Sequence, residues 1–258
     1  FAAFSMTIAA CEDVIDVNLN DADPKLVIAG ELLYPQKAQV SISRTVAMTS
    51  ETPFNPVNGA VVTVRTDEGQ RFTLRETEPG RYEVDLRGRL RNTGGNPAGQ
   101  TFYLDVQVDG ETFTASSTLP ELVPIDSIGT IERNFFGETY KYAGVTYQDP
   151  PGVRNYYRFL RQVNGGAFEH VYVTNDKFND GKYVTEDLAG QERDELLAGD
   201  SVVVQLQCID RPTFDFWNAV QAMNPGNAAP ANPPSAFGEQ ALGYFSAYVM
   251  TQRSTIIQ

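Results

Sequence analysis

Five residues near the start, Thr7-Ile8-Ala9-Ala10-Cys11, have the types and order for one covalent reaction. An aliphatic residue, two small residues and a cysteine form the pattern a lipoprotein signal peptidase reads. The small side chains fit its cleavage pocket, and the thiol is free to take a diacylglycerol. Residues 1–10 then read as the remainder of a signal peptide, excluded from the fold. Cys11 becomes the lipid-modified first residue of the mature chain, followed by an acidic, aperiodic tether over residues 11–24.

Other residues capable of chemistry are sparse. His170 is the only histidine, so a Ser-His-Asp or Cys-His arrangement would have to pass through it. It falls mid-strand between Glu169 and Val171, and no Gly-x-Ser-x-Gly elbow occurs, so a structural or surface histidine is the better reading. One histidine and one cysteine besides Cys11 are too few for a zinc site of the usual ligands. The pairs Glu186-Asp187 and Asp194-Glu195 fall in expected loops with nothing apolar to raise a pKa, which leaves a glycosidase-like acid pair unsupported. Neither a catalytic residue nor a cofactor is expected.

Asn175-Asp176-Lys177-Phe178-Asn179-Asp180-Gly181 has partial calcium spacing. Asp176, Asp180, Gly181 and Asp187 take the first, fifth, sixth and twelfth places of an EF-type loop. Against this, Phe178 stands where an oxygen is needed and no helix follows, so an ordinary Asn-Asp-Gly turn is favoured over a calcium ion. Arg81, Arg87, Arg89 and Arg91 form the one basic cluster, and alternation with Glu83 and Asp85 reads as a solvated strand face. Tyr140, Tyr142, Tyr147, Tyr156 and Tyr157 could line a sugar or peptide groove, although core and cross-strand packing is the simpler account.

The chain has 258 residues, 33 of them acidic against 20 basic, and both halves are acidic. That balance excludes a phosphate-tracking face, so nucleic acid is not an expected partner. With 41% hydrophobic residues the chain can bury a sizeable core, and no run after the leader approaches the apolar length of a membrane helix. Cys208 falls in phase with Val202, Val204 and Leu206 on an inward strand face, where a thiol behaves as a small hydrophobe rather than as a disulfide partner of Cys11.

From Lys25 onward the pattern has period two, the mark of half-buried strands. Val40 and Ile42 alternate with Gln39, Ser41 and Ser43. Ala60, Val62 and Val64 share a face and return through Thr66-Asp67-Glu68-Gly69, and Tyr82, Val84 and Leu86 alternate with charges. About seven short strands with regular turn signals predict an immunoglobulin-like β-sandwich over residues 25–119. Leu119-Pro120-Glu121-Leu122-Val123-Pro124 marks the boundary, since two prolines enforce an extended segment. Residues 120–258 read as a second β-rich domain. It carries one helix near 212–224, with Phe214, Trp217, Val220 and Met223 at helical spacing, Asp210 or Thr213 as cap, and Asn224-Pro225 as stop. The fold class is therefore mainly β: an N-terminal sandwich followed by a β-rich domain with one helix.

Several segments together resemble the domain-of-unknown-function 4249 lipoprotein family. They are the lipobox at Cys11, Lys25-Leu26-Val27-Ile28-Ala29-Gly30, Asn58-Gly59-Ala60-Val61-Val62-Thr63-Val64 and Gly99-Gln100-Thr101-Phe102-Tyr103-Leu104. Asn155-Tyr156-Tyr157-Arg158, Phe178-Asn179-Asp180-Gly181-Lys182, the strand from Gly199-Asp200 to Ile209-Asp210, and Ala241-Leu242-Gly243-Tyr244-Phe245 complete the set. The resemblance implies an outer-membrane lipoprotein of a Gram-negative bacterium, encoded beside a TonB-dependent receptor and acting as its non-catalytic accessory in nutrient uptake. It carries no catalytic residues over. A structural or adhesive surface lipoprotein with no transporter partner is the alternative. The Pro-, Ala- and Asn-rich loop over 224–238 supplies the expected partner contacts, Asn224, Pro225, Pro233, Pro234 and Phe237. One departure falls at Phe237-Gly238-Glu239-Gln240-Ala241, where the resemblance predicts an Asn-led double-glycine segment.

Overall fold

The computed structural model describes residues 23–47, 50, 52, 54–91, 96–135, 137–189, 195–223 and 232–258. The expected signal-peptide remainder, Cys11 and most of the expected tether lie outside that set, as do Asn224 and Pro225. No described helix is long and apolar enough to cross a membrane.

The period-two segments form strands in which the apolar residues turn inward. The first half of the chain contributes β1 (Leu26–Leu33), β2 (Lys37–Arg44), β3 (Asn55–Pro56), β4 (Val61–Thr66), β5 (Arg71–Thr73), β6 (Arg75–Glu78), β7 (Arg81–Asp85), β8 (Thr101–Val108) and β9 (Glu111–Thr118). The second half contributes β10 (Ser127–Phe135), β11 (Glu138–Gln148), β12 (Tyr156–Val163), β13 (Glu169–Asn175), β14 (Tyr183–Asp187), β15 (Ser201–Ile209), helix α1 (Arg211–Ala222) and β16 (Leu242–Ile256).

These strands make three sheets. The largest runs β13-β12-β15-β16-β1-β2-β7-β6, with β3 beside β2, and so draws strands from both ends of the chain. A four-stranded sheet β5-β4-β8-β9 covers one part of it and a three-stranded sheet β10-β11-β14 covers another. Leu104 of β8 lies directly against Gly30 of β1, and Tyr147 of β11 meets the rings of Tyr157 and Phe159 of β12, which places the core between the layers. The chain passes between sheets at the buried Leu74, which separates β5 from β6.

Strand β16 joins the two parts. Its first half pairs parallel with β1, Val27 opposite Leu242 and Leu33 opposite Tyr248. Its second half pairs antiparallel with β15, Cys208 opposite Val249 and Ser201 opposite Ile256. The parallel pairing requires Gly243, whose φ is +120° and whose missing Cβ leaves room for the Ile28 carbonyl. Residues 119–126 are extended, as their prolines require, and are strapped to the large sheet. Val123 N–H donates to Cys208 Sγ at 3.3 Å, Ile125 N–H to Thr251 Oγ1 at 3.1 Å, and Arg253 Nε to the Ile125 carbonyl at 2.6 Å. Leu119, Val123 and Ile125 are buried, so the segment between the two halves belongs to the core. Burial pushes the Cys208 thiol up to about 12.

Asp210 caps α1: one oxygen accepts from Thr213 N–H at 3.1 Å, the other from Ser117 Oγ at 2.7 Å and Thr118 N–H at 3.2 Å. The helix is thereby tied to the end of β9 as well as to β15.

Candidate functional site

Two places gather polar and aromatic side chains in ways the core does not require. The first lies under α1. Arg158 of β12 is buried, its guanidinium carbon 3.8 Å from the centre of the Trp217 ring and its Nη1 3.1 Å from Glu31 Oε1. Tyr244 donates its hydroxyl to the same Glu31 oxygen at 2.8 Å, and its ring packs on Phe216 and Trp217 with centroids 4.8 and 5.4 Å away. Burial first, then the Glu31 charge, raises the Tyr244 pKa and keeps that hydroxyl a donor. Beside this network a pocket of ≈ 340 Å³ opens between the helix and the loop before β16, lined by Pro212, Phe216, Pro234, Ala236, Tyr244 and Phe245. The Arg211–Asp215 pair, 3.5 Å apart and one helical turn in spacing, stands at its rim.

Of the expected partner contacts within the described residues, Pro234 is exposed and Pro233 half-buried. Phe237 is 6% exposed and belongs to the core, which removes it from the contact set. An aromatic ring that can reach the core is worth more inside than in water. Here the Ser235 hydroxyl, which accepts from Phe237 N–H at 3.2 Å, fixes the inward turn.

The second place is where the β11–β12 loop meets the β13–β14 loop. Each loop's aspartates accept backbone N–H groups of the other. Asp149 Oδ2 accepts from Gly181 at 3.1 Å, Asp176 Oδ2 from Asn155 at 2.9 Å, and Asp180 Oδ1 from Gly152 at 2.7 Å. Gly181, with φ +68°, has no Cβ to strike Pro151 of the opposite loop, so the two backbones can close up. Asp149 Oδ1 also accepts the buried Tyr157 hydroxyl at 2.5 Å. One carboxylate oxygen from each of Asp149, Asp176 and Asp180 lies within 4.8 Å of the other two. Burial, with the neighbouring charges of Asp176 and Asp180, holds the Asp149 carboxyl above the usual carboxylate range, against the opposing pull of Tyr157 and Gly181.

Of the three acids in the calcium spacing, two meet. Asp176 and Asp180 come together, but Asp187 lies on β14 in an ion pair with Arg133, because a strand rather than a helix follows the turn and carries it away. Asp149 takes its place. In sequence it reads as the end of a strand at Asp-Pro-Pro-Gly; its one signal is an acid opening a rigid turn.

The other candidates divide in the same manner. Tyr142, Tyr147 and Tyr157 are buried and Tyr156 packs on Phe214, so packing accounts for four of the aromatic set, while half-buried Tyr140 donates to Glu138. Arg87 bonds Asp85 at 2.7 Å and Arg81 lies 3.5 Å from Glu78 on an exposed edge, the solvated face expected of that cluster. His170 lies on β13 with its backbone opposite Leu160, and its side chain falls outside the described residues.

A mainly β protein, with three sheets and one helix laid over an aromatic layer among the described residues, is the class this fold defines. The chain matches the family model described as Domain of unknown function (DUF4249) over residues 12–254 and belongs to that family. No curated protein matches it. Among solved structures it is similar to a DUF4785 family protein from Legionella pneumophila subsp. pneumophila str. Philadelphia 1, at 14% identity and a TM-score of 0.28. That likeness covers 70% of this chain and 51% of the other, so the chain spans about half that protein's length.

Proposed function

We propose that this chain is a non-catalytic, lipid-anchored protein of the outer membrane that docks on a TonB-dependent receptor and assists nutrient uptake. The observation that carries the reading is the end of the large sheet at which β1 begins. Val27 pairs in parallel with Leu242, so the residues leading into β1 and the loop over 232–241 reach the sheet at the same end. An acyl chain on Cys11 holds that end toward the bilayer, where a β-barrel receptor sits. The exposed Pro234 and the aromatic-lined pocket beside α1 then face the membrane side, and such a pocket is what an interface anchor residue fills. In this reading the N-terminal pair of sheets is an immunoglobulin-like sandwich, a rigid spacer that carries the contact surface.

A photo-crosslinking residue placed at Pro234 in intact cells tests the reading, with one at the exposed Gln36, in the turn at the far end of β1, as control. The expected product is an adduct to a TonB-dependent β-barrel, identified by mass spectrometry, from position 234 and not from 36. Recovery of the native protein without a barrel, from both positions, removes the reading. Mass spectrometry of an unmodified Cys11 thiol removes its premise.

A further inference from the structure

We propose that the clasp between the β11–β12 and β13–β14 loops is a calcium site whose carboxylate ligands are Asp149, Asp176 and Asp180. Three aspartates that each accept an N–H from the opposite loop are, by that alone, a mutual cap. A mutual cap accounts for one oxygen of each residue but not for the rest of the arrangement. Asp176 is 3% exposed and Asp149 1% exposed, and Asp176 Oδ1 is buried with no hydrogen bond. A buried carboxylate oxygen without a hydrogen bond is costly, and Asp176 is one of three residues that each bring a carboxylate oxygen within 4.8 Å of the other two.

The basic side chains of the two loops do not neutralise that volume. Arg154 Nε is 3.7 Å from Asp176 Oδ1, beyond hydrogen-bond reach, and its side chain is largely exposed. Lys182 Nζ donates to the Phe178 carbonyl at 2.7 Å, and Lys177 Nζ stands 5.2 Å from the centre of the Phe178 ring. Three carboxylates against one loosely placed guanidinium leave a deficit of two positive charges, which one divalent cation supplies. The donors are all oxygen, with neither histidine nor cysteine, the set of a hard cation. A shell of oxygens about 2.4 Å from a calcium ion spans about 4.8 Å, so all three carboxylates can belong to one shell, with water and main-chain carbonyls completing it.

The proposal does not rest on the receptor reading, and its test is separate. Thermal unfolding of the full chain is followed in calcium and in EGTA, for the wild type, Asp176→Asn and the exposed-site variant Asp180→Asn. Calcium at about a hundredfold excess over its dissociation constant is expected to raise the wild-type midpoint by roughly 5 °C or more. Both variants are expected to lose most of that shift. Terbium luminescence excited through tyrosine supplies a readout independent of stability, since the Tyr157 hydroxyl bonds Asp149. Emission that calcium competes away, and that Asp180→Asn weakens at least tenfold in affinity, supports the site. An equal midpoint in calcium and EGTA with no competable emission overturns it. So does an undiminished calcium shift in both variants.

Discussion

The two parts of the core sit under one continuous sheet but are filled with different chemistry. Between β1, β2, β4 and β8 the interior is Ile28, Leu32, Val40, Ile42, Val62, Val64, Phe102, Leu104 and Val106, almost all carbon. Its one large polar group, the Tyr82 hydroxyl, donates to the Val57 carbonyl at 2.9 Å and accepts from Ala60 N–H at 3.0 Å. Around β11, β12 and β13 the buried set includes Asp149, Asn155, Arg158, Arg161 and Asp176. Tyr157 and Tyr172 send their hydroxyls to Asp149 and Glu186, at 2.5 and 2.6 Å. An apolar filling tolerates small changes in its members. A buried polar set requires every partner to be present, since one removed leaves another unpaired at full desolvation cost. Where a chain keeps such groups against local rules, a site is the expected reason.

The strongest way to break this comparison is at the strand both parts share. Alanine at Gly243 would place its Cβ 1.9 Å from the Ile28 carbonyl oxygen, a backbone atom that cannot swing aside. The expected loss is about 4 kcal/mol or more in urea unfolding, with both parts affected in one transition. Next, Arg158→Met removes the ionic partner of Glu31, leaving it the Tyr244 hydroxyl alone among the described residues, and is expected to cost about 3 kcal/mol. Adding Glu31→Gln should restore most of it, because the damage lies in the unpaired charge; failure of the double variant to recover would show that packing on Trp217 dominates instead. A smaller effect is expected at the seam between β9 and α1. Asp210→Ala removes the cap on Thr213 and the bonds to Ser117 and Thr118, about 2 kcal/mol by the same unfolding measurement.

Much of this was legible in local pattern. The alternation of Val40 with Ile42, and of Val202, Val204, Leu206 and Cys208, marks inward faces that are indeed buried, and the Asp210 cap begins α1 where the periodicity changes. Period two reports which residues face inward but not which strand lies alongside, so the parallel pairing of β1 with β16 could not be read from either segment. Likewise the spacing of Asp176, Asp180 and Asp187 presumes a helical return, and β14 sends Asp187 to Arg133 instead. Asp149 approaches the other two only because β11 and β12 run antiparallel to their neighbours, a relation that no window of sequence contains. Phe237 misleads in the opposite sense, since a loop composition says nothing about the direction of one ring.

The finest distinction between the parts is in their response to pH, and two aspartates give it opposite signs. Asp85, exposed in the first part, is held down to about 2 by the Arg87 guanidinium. Its stabilising share is present above the ordinary carboxylate range near 3.9 and is lost only as pH falls from there toward 2. Asp149, buried in the second part, is raised, so the folded state takes its proton more readily than the unfolded chain. Its share is full below about 3.9 and is lost as pH rises through the folded value. In EGTA, acidifying from about pH 7 to about pH 4 should therefore let Asp149 add stability before Asp85 loses most of its share. Urea unfolding at both pH values checks this, and Asp149→Asn should flatten the difference; an equally steep profile in that variant would assign it to another group. In calcium the sign should reverse over the same interval, because a bound cation requires the deprotonated carboxylate and acid then drives it off.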